Sequence, residues 1–213
     1  MSRVRTTVPV IVAMLFPLPA AATQFSGLSV GLGASSFSVD MESEFDAPGM
    51  GPSSATADKT GGMVDVGYGF MPSRSIHLQA GVRSYPIELE ANLYDDDCVK
   101  IDQHVAAYGQ VGYLFNDRNM LYGIFEAGGA EVTVHTEGYA DREFEPDTFA
   151  FGVGYKYAMA SYVEFFVEGM NRSYDMMDIH YGREPADSEE YAGAKKDIDL
   201  TSTNLTAGFQ FRF

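Results

Sequence analysis

Apolar residues alternate with small or polar residues over eight segments of the chain, each roughly ten residues long. Successive side chains of a β-strand point to opposite sides, so this alternation gives a strand two chemically different faces. In the second segment, for example, Val64, Val66, Tyr68 and Phe70 share one face and Asp65 lies on the other. The segments span residues 27–39, 62–71, 75–85, 103–115, 120–134, 148–158, 161–172 and 198–213. The pattern predicts an all-β protein.

The connections between these segments alternate between short and long. The short ones span residues 71–75, 116–119 and 158–161, and the long polar ones span residues 40–61, 86–102, 135–147 and 173–197. An even number of strands with short turns at one end and long loops at the other is typical of a barrel that crosses the bacterial outer membrane. We therefore predict an eight-stranded antiparallel transmembrane β-barrel with short periplasmic turns and four long extracellular loops.

A soluble eight-stranded barrel of the lipocalin kind is the structural alternative. It would carry its charges outside, whereas the polar face of these segments consists mostly of Gly, Ala, Gln and His and is too sparsely charged for a solvated surface. Aromatic residues also cluster near the short turns, where an interfacial girdle belongs. They are Phe70, Tyr113, Phe115, Tyr122, Tyr155, Tyr157, Tyr162, Phe211 and Phe213. These features favour the membrane barrel.

The N-terminus carries the pattern of a cleaved secretory signal peptide. A basic start at Arg3 and Arg5 precedes an apolar run over residues 8–18 and the small residues Ala20 to Ala22. The apolar run is too short to cross a bilayer of about 30 Å. We therefore expect residues 1–22 to be removed and residues 23–213 to form the outer-membrane barrel domain.

The fifth segment does not keep a single phase. Phe125 and Ala127 suit the lipid face, which turns Glu126 inward and away from the hydrocarbon. Val132 is an even number of residues from Glu126 and would therefore also point inward, although it is apolar. We expect a β-bulge at residues 128–129 that shifts the phase before Val132.

The C-terminal segment ends in a specific arrangement of Thr206, Gly208, Phe211 and the terminal Phe213. It resembles the assembly signal of bacterial outer-membrane barrels, in which a polar residue, a glycine, an apolar residue and a terminal aromatic occupy these positions. With its eight segments, the chain resembles the small OmpA/OmpX-type β-barrel superfamily, which includes opacity-like and Ail-like surface proteins and colonisation factors. The resemblance implies delivery to the outer membrane of a Gram-negative bacterium by the barrel assembly machinery.

The inward faces of the predicted strands carry polar residues of both charge signs. We expect Asp65, Arg83, Glu126, Lys156, Glu164 and Glu168 to form an interior polar network. The other candidate inward residues are His77, His104, Tyr108, Gln110, Asn204, Gln210 and Arg212. Lys156 and Glu164 lie nearly symmetrically about a turn, which predicts a cross-strand pair. The interior of an eight-stranded barrel is about wide enough for side chains to fill, so a filled lumen is favoured over a narrow channel.

The chain is strongly acidic, with 30 Asp and Glu against 14 Lys and Arg and a formal charge of −16. This charge repels nucleic acid phosphates, so nucleic-acid binding is excluded. Most of the acidic residues lie in the four long connections. The extracellular side is therefore predicted to be acidic, either as a solvated surface or for recognition of cationic partners or of divalent ions held at lipopolysaccharide.

Aromatic residues stand among the acids of two long connections and are typical of protein contacts, although packing between loops or between strands extended above the bilayer is an equal alternative. The interaction candidates are Tyr94, Asp95, Asp96, Asp97, Tyr181, Glu189, Glu190 and Tyr191. The single Cys98 excludes an intrachain disulfide and a Cys-based zinc site. Neither the run at 95–97 nor that at 175–180 has the spacing of an EF-hand, so no metal site or cofactor is expected.

The four histidines do not show the His-x-Ser placement of outer-membrane lipid A deacylases, and no other catalytic set is present in the sequence. We therefore expect a monomeric, non-enzymatic surface protein that lies among outer-membrane lipid and lipopolysaccharide. Its acidic loops would mediate adhesion and colonisation through a host or matrix protein, or interactions within the envelope. A narrow porin-like or OmpW-like channel and a purely structural envelope protein are the alternatives.

Overall fold

The computed structural model describes residues 25–46, 52–94, 97–136, 141–175, 177–180 and 195–213. The predicted signal peptide lies outside these residues. Within them the chain forms antiparallel strands β1 (Gly27–Asp46), β2 (Ser53–Phe70), β3 (Ile76–Tyr94), β4 (Asp97–Asn116), β5 (Asn119–Thr136), β6 (Arg142–Phe144), β7 (Asp147–Ala160), β8 (Val163–Tyr174), β9 (Met177–His180) and β10 (Lys195–Arg212). No helix in the described part of the chain is long and apolar enough to cross a membrane.

Eight long strands form one closed sheet. Each is paired with the next long strand along the chain, and β1 is paired with β10. Partners followed once around the sheet from Val30 lead back to β1 at Asp40, a stagger of ten residues. In eight strands this stagger corresponds to a tilt of about 40° and a radius of about 8 Å. The prediction of an eight-stranded antiparallel barrel is confirmed.

The end of the barrel that carries the short turns has an apolar outer surface. Leu121 and Phe125 on β5 and Phe151 and Val153 on β7 are largely exposed there, as expected of side chains that face lipid. Most of the predicted aromatic girdle lies on the same outer surface, at Phe70, Tyr113, Phe115, Tyr155, Tyr157, Tyr162, Phe211 and Phe213. Tyr122 was wrongly assigned to the girdle, because it is buried inside the barrel and donates a hydrogen bond to Glu168.

At the other end the strands are much longer than the sequence pattern predicts. β1 continues to Asp46 and β2 begins at Ser53, so most of the predicted loop 40–61 is a hairpin. β3 and β4 likewise occupy most of the predicted loop 86–102. The outward side chains of these extensions are polar and acidic, which is why the segments resemble loops in composition. Strands of about 20 residues exceed the 9–11 that a membrane crossing requires, so the barrel wall continues outside the bilayer.

The two faces of the wall exchange their chemistry along strands that continue beyond the lipid belt. On β1 the outward residues change from Leu28 and Leu32 to Glu42 and Glu44. The inward residues of β1 change at the same height in the opposite sense, from small and polar to the apolar Phe37, Val39 and Met41. Where lipid surrounds the barrel, its interior holds the polar and charged side chains together with an apolar cluster that includes Met120, Ile124 and Met170. Where water surrounds the barrel, its interior is mainly apolar.

Above the apolar belt the closed wall divides into two sheets. The pairing between β2 and β3 ends at Val64 and Ser84, while β10 continues with β9 and β5 continues with β6. One sheet contains β9, β10, β1 and β2, and the other contains β3, β4, β5 and β6. Their inner faces pack on each other through Phe37, Val39, Met41, Met63, Met177, Ile198 and Leu200 from the first sheet and Tyr85, Ile87, Leu89, Val99, Ile101, Ala130, Val132 and Val134 from the second. The extracellular part is thus a small β-sandwich.

The change from a polar to an apolar interior explains why the fifth predicted segment seemed to shift its phase. Glu126 and Val132 both point inward and β5 keeps one phase throughout, so the predicted bulge at 128–129 is wrong. The register irregularity lies instead in the neighbouring β4, between Ile101 and Gln103. Val132 faces inward because the interior is apolar at its height.

Candidate functional site

A cluster of buried charges fills the barrel at the height of the lipid belt. At its centre, Arg83 on β3 forms ion pairs with Glu168, with Glu126 at 2.9 Å and with Asp65 at 3.7 Å. All four side chains are essentially inaccessible to solvent. Each lies on the inward face of its strand, as the sequence pattern predicts.

A second arginine completes this cluster from the opposite wall. Arg172 on β8 donates to Glu126 at 2.7 Å, and its guanidinium lies 5.0 Å from the centre of the Tyr85 ring. The Tyr85 hydroxyl in turn donates to Glu126 at 3.1 Å. Arg172 is absent from the network predicted from the sequence, although it follows Glu164 and Glu168 in the same alternation. Extending that alternation of β8 would have found it.

Below this cluster, Lys156 occupies a cradle of amide oxygens. Its ammonium group donates to the side-chain oxygens of Gln79 at 3.2 Å, Gln110 at 2.9 Å and Gln210 at 2.8 Å. It also lies 5.0 Å from the centre of the Tyr122 ring. Each partner comes from a different strand, so Lys156 cross-links the lumen.

Glu164 does not form the predicted cross-strand pair with Lys156. It forms an ion pair with Arg212 near the periplasmic end. The register explains the difference, because Glu164 lies opposite Ala158 in β7, whereas its other neighbour in the wall, β10, brings Arg212 within reach. Arg212 also donates to Gln79 at 3.0 Å, which joins this pair to the Lys156 cradle.

The predicted network residues thus meet in one continuous cluster in which opposite charges balance. The acidic members are Asp65, Glu126, Glu164 and Glu168, and the basic ones are Arg83, Lys156, Arg172 and Arg212. Removing one partner from such a cluster would leave an unpaired buried charge and destabilise the fold. It also occupies the space through which an ion would have to pass.

The predicted assembly signal lies along the β10–β1 closure. Thr206 contacts Ser35 inside the barrel at 2.6 Å, and Phe211 and Phe213 point outward. A Cβ atom on Gly208 would collide with the backbone of Leu32, because β1 and β10 approach closely there. Recognition of this strand by the assembly machinery stays a prediction.

Outside the membrane the wall carries a surface that we call the acidic collar, formed by the outward side chains of the strand extensions and the residues that follow them. Its described acidic members are Asp40, Glu42, Glu44, Asp58, Glu88, Glu90, Asp102, Glu131, Asp141, Glu143, Glu145, Asp147, Asp175, Asp197 and Asp199. The described basic side chains at this height are Lys59, Lys100 and Arg142. Lys100 pairs with Glu88 and Asp102, both at 2.9 Å, and these bonds raise its pKa.

The predicted loop candidates fall largely outside the described residues. This applies to Asp95, Asp96, Tyr181, Glu189, Glu190 and Tyr191, whereas Tyr94 ends β3 and Asp97 begins β4. Next to them, Cys98 is a free, half-buried thiol whose Sγ lies 3.4 Å from a carboxylate oxygen of Glu90. In the described part of the chain, no group of three or more His, Cys, Asp or Glu side chains is arranged to hold a metal ion.

Comparisons with known proteins agree with this architecture. The family model of the outer membrane protein beta-barrel domain matches residues 8–213. The chain therefore belongs to this family, and it is a protein of the Gram-negative outer membrane. The predicted kinship with small OmpA/OmpX-type barrels is confirmed at this level. No curated protein matches the chain.

Among solved structures, the outer membrane protein OprG from Pseudomonas aeruginosa has 13% sequence identity and a TM-score of 0.59, covering 90% of this chain and 98% of OprG. The outer membrane protease OmpT from Escherichia coli has 10% identity and a TM-score of 0.48, covering 87% of this chain and 96% of OmpT. Ail, the attachment invasion locus protein of Yersinia pestis, has 13% identity and a TM-score of 0.42, covering 84% of this chain and 99% of Ail. The similarity to OprG supports the fold and says nothing of activity.

Proposed function

We propose that this protein is a non-enzymatic surface barrel whose acidic collar binds cationic partners outside the cell, in attachment to host or matrix proteins or in contacts within the envelope. The observation that carries the proposal is the extension of the wall beyond the lipid belt, with an outward face dominated by carboxylates. A wall of paired strands is a more rigid display than a set of flexible loops, and rigid presentation lowers the entropic cost of binding.

One dense part of the collar lies where β1 meets β10. Glu42 lies opposite Asp199, and Glu44 lies opposite Asp197. Like charges in directly opposed positions of neighbouring strands repel each other. These four residues line an open cleft of about 490 Å³ together with Ser43, Pro52, Ser53 and Ser54. Lysine or arginine side chains of a partner would relieve the repulsion between Glu42 and Asp199, which makes the cleft a candidate contact within the collar.

The filled interior of the barrel favours a surface-binding role over an ion-channel role. The charge cluster around Arg83 and Lys156 joins side chains from opposite walls, and the sandwich core closes the barrel above it. A narrow ion channel would require both layers to open.

The test is attachment of a non-adherent Gram-negative host that displays the full-length protein. The variant replaces Glu42 and Glu44 by Gln and Asp197 and Asp199 by Asn. The matched control changes outward residues of the same two strands without changing charge, with Ser36, Ser38, Thr201 and Thr203 all replaced by Asn. A third variant neutralises the acids predicted from the sequence as interaction candidates, Asp95 to Asp97, Glu189 and Glu190. Comparing its attachment with that of the collar variant separates the contribution of these residues from that of the collar. Protease accessibility verifies display in every case.

We expect the parent and the uncharged control to attach to host cells and matrix, and the collar variant to lose most of this attachment. Attachment should also fall as NaCl rises from 0.05 to 0.5 M, because the Debye length shrinks from about 14 Å to about 4 Å. Attachment that survives both neutralisation and high salt would contradict recognition through charge. A parent that is displayed but attaches to nothing would contradict the adhesive role for the surfaces tested.

A further inference from the structure

Phe25 lies ahead of the first strand and is enclosed by the periplasmic end of the barrel. Its side chain is fully buried, although β1 begins only at Gly27. It belongs to an apolar cluster whose members nearest the short turns are Leu114, Met120 and Ala158. These three inward side chains and Phe25 close the mouth of the lumen on the periplasmic side. We call Phe25 the stopper and the other three residues its seat.

A glycine turns the chain from the wall into this mouth. Gly27 has a φ of +116°, which residues with a side chain rarely adopt. A Cβ atom at Gly27 would also lie 2.6 Å from the carbonyl oxygen of Phe213. The pairing of β1 with β2 begins at Gly27, so Phe25 lies outside the ladder of the wall. Moving Phe25 out of the mouth therefore breaks no hydrogen bond between strands.

A histidine of β3 holds the stopper by its backbone. His77 Nε2 donates a hydrogen bond to the carbonyl oxygen of Phe25 at 2.8 Å, and the two rings meet edge to face at 6.2 Å. Because a carbonyl oxygen only accepts, Nε2 carries the proton and Nδ1 is left as an acceptor. A Cβ atom on Gly69 would lie 2.8 Å from this carbonyl oxygen and 2.6 Å from Nε2. The seated position of Phe25 therefore requires a glycine in β2.

The seated stopper encloses two polar atoms that lack a partner. Within the part of the chain that the structure describes, neither His77 Nδ1 nor Arg212 Nη1 has a hydrogen-bond partner. Arg212 Nη1 lies 2.7 Å from the same Cβ position on Gly69, so it is close to the carbonyl group of Phe25. An unpaired buried polar group destabilises the state that buries it, and water entering an open mouth would hydrate both atoms. Hydration offsets part of the apolar contact that is lost when Phe25 leaves.

We propose that Phe25 is a detachable stopper, which leaves the periplasmic mouth and returns while the eight-stranded wall stays intact. It controls whether periplasmic water reaches the lower part of the charge cluster, at His77 and Arg212. Opening costs less than global unfolding, because the stopper has no strand pairing and its release hydrates unsatisfied groups. The Arg83 cluster and the sandwich core still block ions when the stopper is open. This inference is independent of the partner of the acidic collar.

The first experiment places a fluorescent reporter at the stopper. The chain contains no Trp, so Phe25→Trp gives a single fluorophore in the full-length barrel reconstituted in lipid vesicles. Acrylamide quenches it from water, and brominated lipid quenches it from the bilayer. Tyr162→Trp is the matched control, since this residue is exposed on the outer surface at the same end. Gly69→Ala is then added to unseat the stopper, and Gly123→Ala, whose Cβ meets nothing within 4 Å, is its control.

We expect the tryptophan of Phe25→Trp to be shielded from both quenchers and that of Tyr162→Trp to be quenched by brominated lipid. Gly69→Ala should raise acrylamide quenching at least threefold in a barrel that is still heat-modifiable, whereas Gly123→Ala should leave it unchanged. In urea, the emission of Phe25→Trp should shift to the red before the circular dichroism of the sheet is lost. A single transition for emission and circular dichroism would overturn detachment of the stopper.

A second measurement dispenses with the tryptophan. Ala158→Cys in a Cys98→Ser background places a thiol in the buried seat, and N-ethylmaleimide reports whether water reaches it. Adding Phe25→Ala should raise the rate of alkylation at least tenfold, and Phe25→Leu should raise it less. Gly69→Ala should also raise this rate, with Phe25 itself unchanged. Equal rates with Phe25 and with Phe25→Ala, in barrels that are both folded, would overturn its role in excluding water.

Discussion

Arg83 shows how a single residue can hold the lumen closed. Its guanidinium group contacts Glu126, Glu168 and Asp65, which come from three other strands. Replacing it with Met would leave three buried carboxylates without this partner. We expect the free energy of unfolding to fall by about 3–5 kcal/mol, as for other broken buried ion pairs. Urea unfolding in lipid vesicles measures this.

A second substitution tests whether the loss of stability comes from uncompensated charge. Glu168→Gln added to Arg83→Met removes one of the uncompensated carboxylates and should recover part of the lost stability. Arg118→Met in the exposed turn is the control and should change stability by less than about 0.5 kcal/mol. An Arg83 variant as stable as this control would show that the ion pairs contribute nothing.

Two glycines of β5 differ in what surrounds them. A Cβ atom on Gly128 would collide with the backbone of Val105 and Ala106, whereas one on Gly123 would meet nothing within 4 Å. Gly128→Ala should therefore destabilise the barrel by about 1–3 kcal/mol through overpacking, and Gly123→Ala should be neutral. The folded fraction in a heat-modifiability gel distinguishes the two. Equal behaviour of the two variants would contradict the close approach of β4 and β5.

Cys98 allows a test of the local environment at the top of β4. Partial burial and the neighbouring Glu90 carboxylate both raise the pKa of its thiol. A raised pKa means a smaller thiolate fraction at pH 8, so iodoacetamide should alkylate Cys98 more slowly than free cysteine. Glu90→Gln should speed the reaction and Asp102→Asn should alter it less. A rate at pH 8 equal to that of free cysteine would contradict this environment.

At the scale of the element, β1 displays the exchange of chemistry between the two faces. Leu32 and Ser38 both point outward and are six residues apart, yet the first faces lipid and the second lies above it. Leu32→Arg should cost about 2–4 kcal/mol if it lies near the bilayer midplane, and Ser38→Arg about 0–1 kcal/mol. Unfolding in vesicles checks both values. Similar costs at the two positions would place the membrane boundary elsewhere.

The sequence predicts the part of each strand in lipid well, because one face must be apolar there and the alternation is complete. It predicts the extensions poorly, since their apolar face is the inner one and the phase of the apolar residues reverses. In β1 the apolar positions change from Leu28 and Leu32 to Phe37 and Met41, without any bulge in the strand. If each strand is assumed to have one apolar face, this reversal is taken for a loop or, in β5, for a bulge. The reversal itself is a sequence signal for the membrane boundary.

For the candidate site, the sequence places Asp65, Glu126 and Glu168 correctly inside, because the parity of a strand decides the direction of a side chain. It does not decide which inward charges meet. That depends on the stagger of the barrel, which brings Arg212 to Glu164 and three glutamines to Lys156. The division of the wall into two sheets is also beyond a single-strand pattern, since it arises where β2 and β3 stop pairing.

At the scale of the whole molecule, two layers of side chains close the narrow barrel. The balanced charge cluster fills the lumen within the membrane, and the apolar sandwich core fills it outside. The acidic collar surrounds the outer closure and is the surface that we propose for recognition. Closure and display are therefore properties of the same wall, and the proposed function requires both.

The most direct test is the conductance of the purified, folded full-length protein in a planar lipid bilayer, with folding and insertion verified for the same preparation. A closed barrel predicts no steady current in 1 M KCl at moderate voltage. Arg83→Met, if folded, should show brief openings, because it removes the central cross-link of the cluster. Sustained, uniform current steps from the parent protein would contradict the closed lumen and favour a channel.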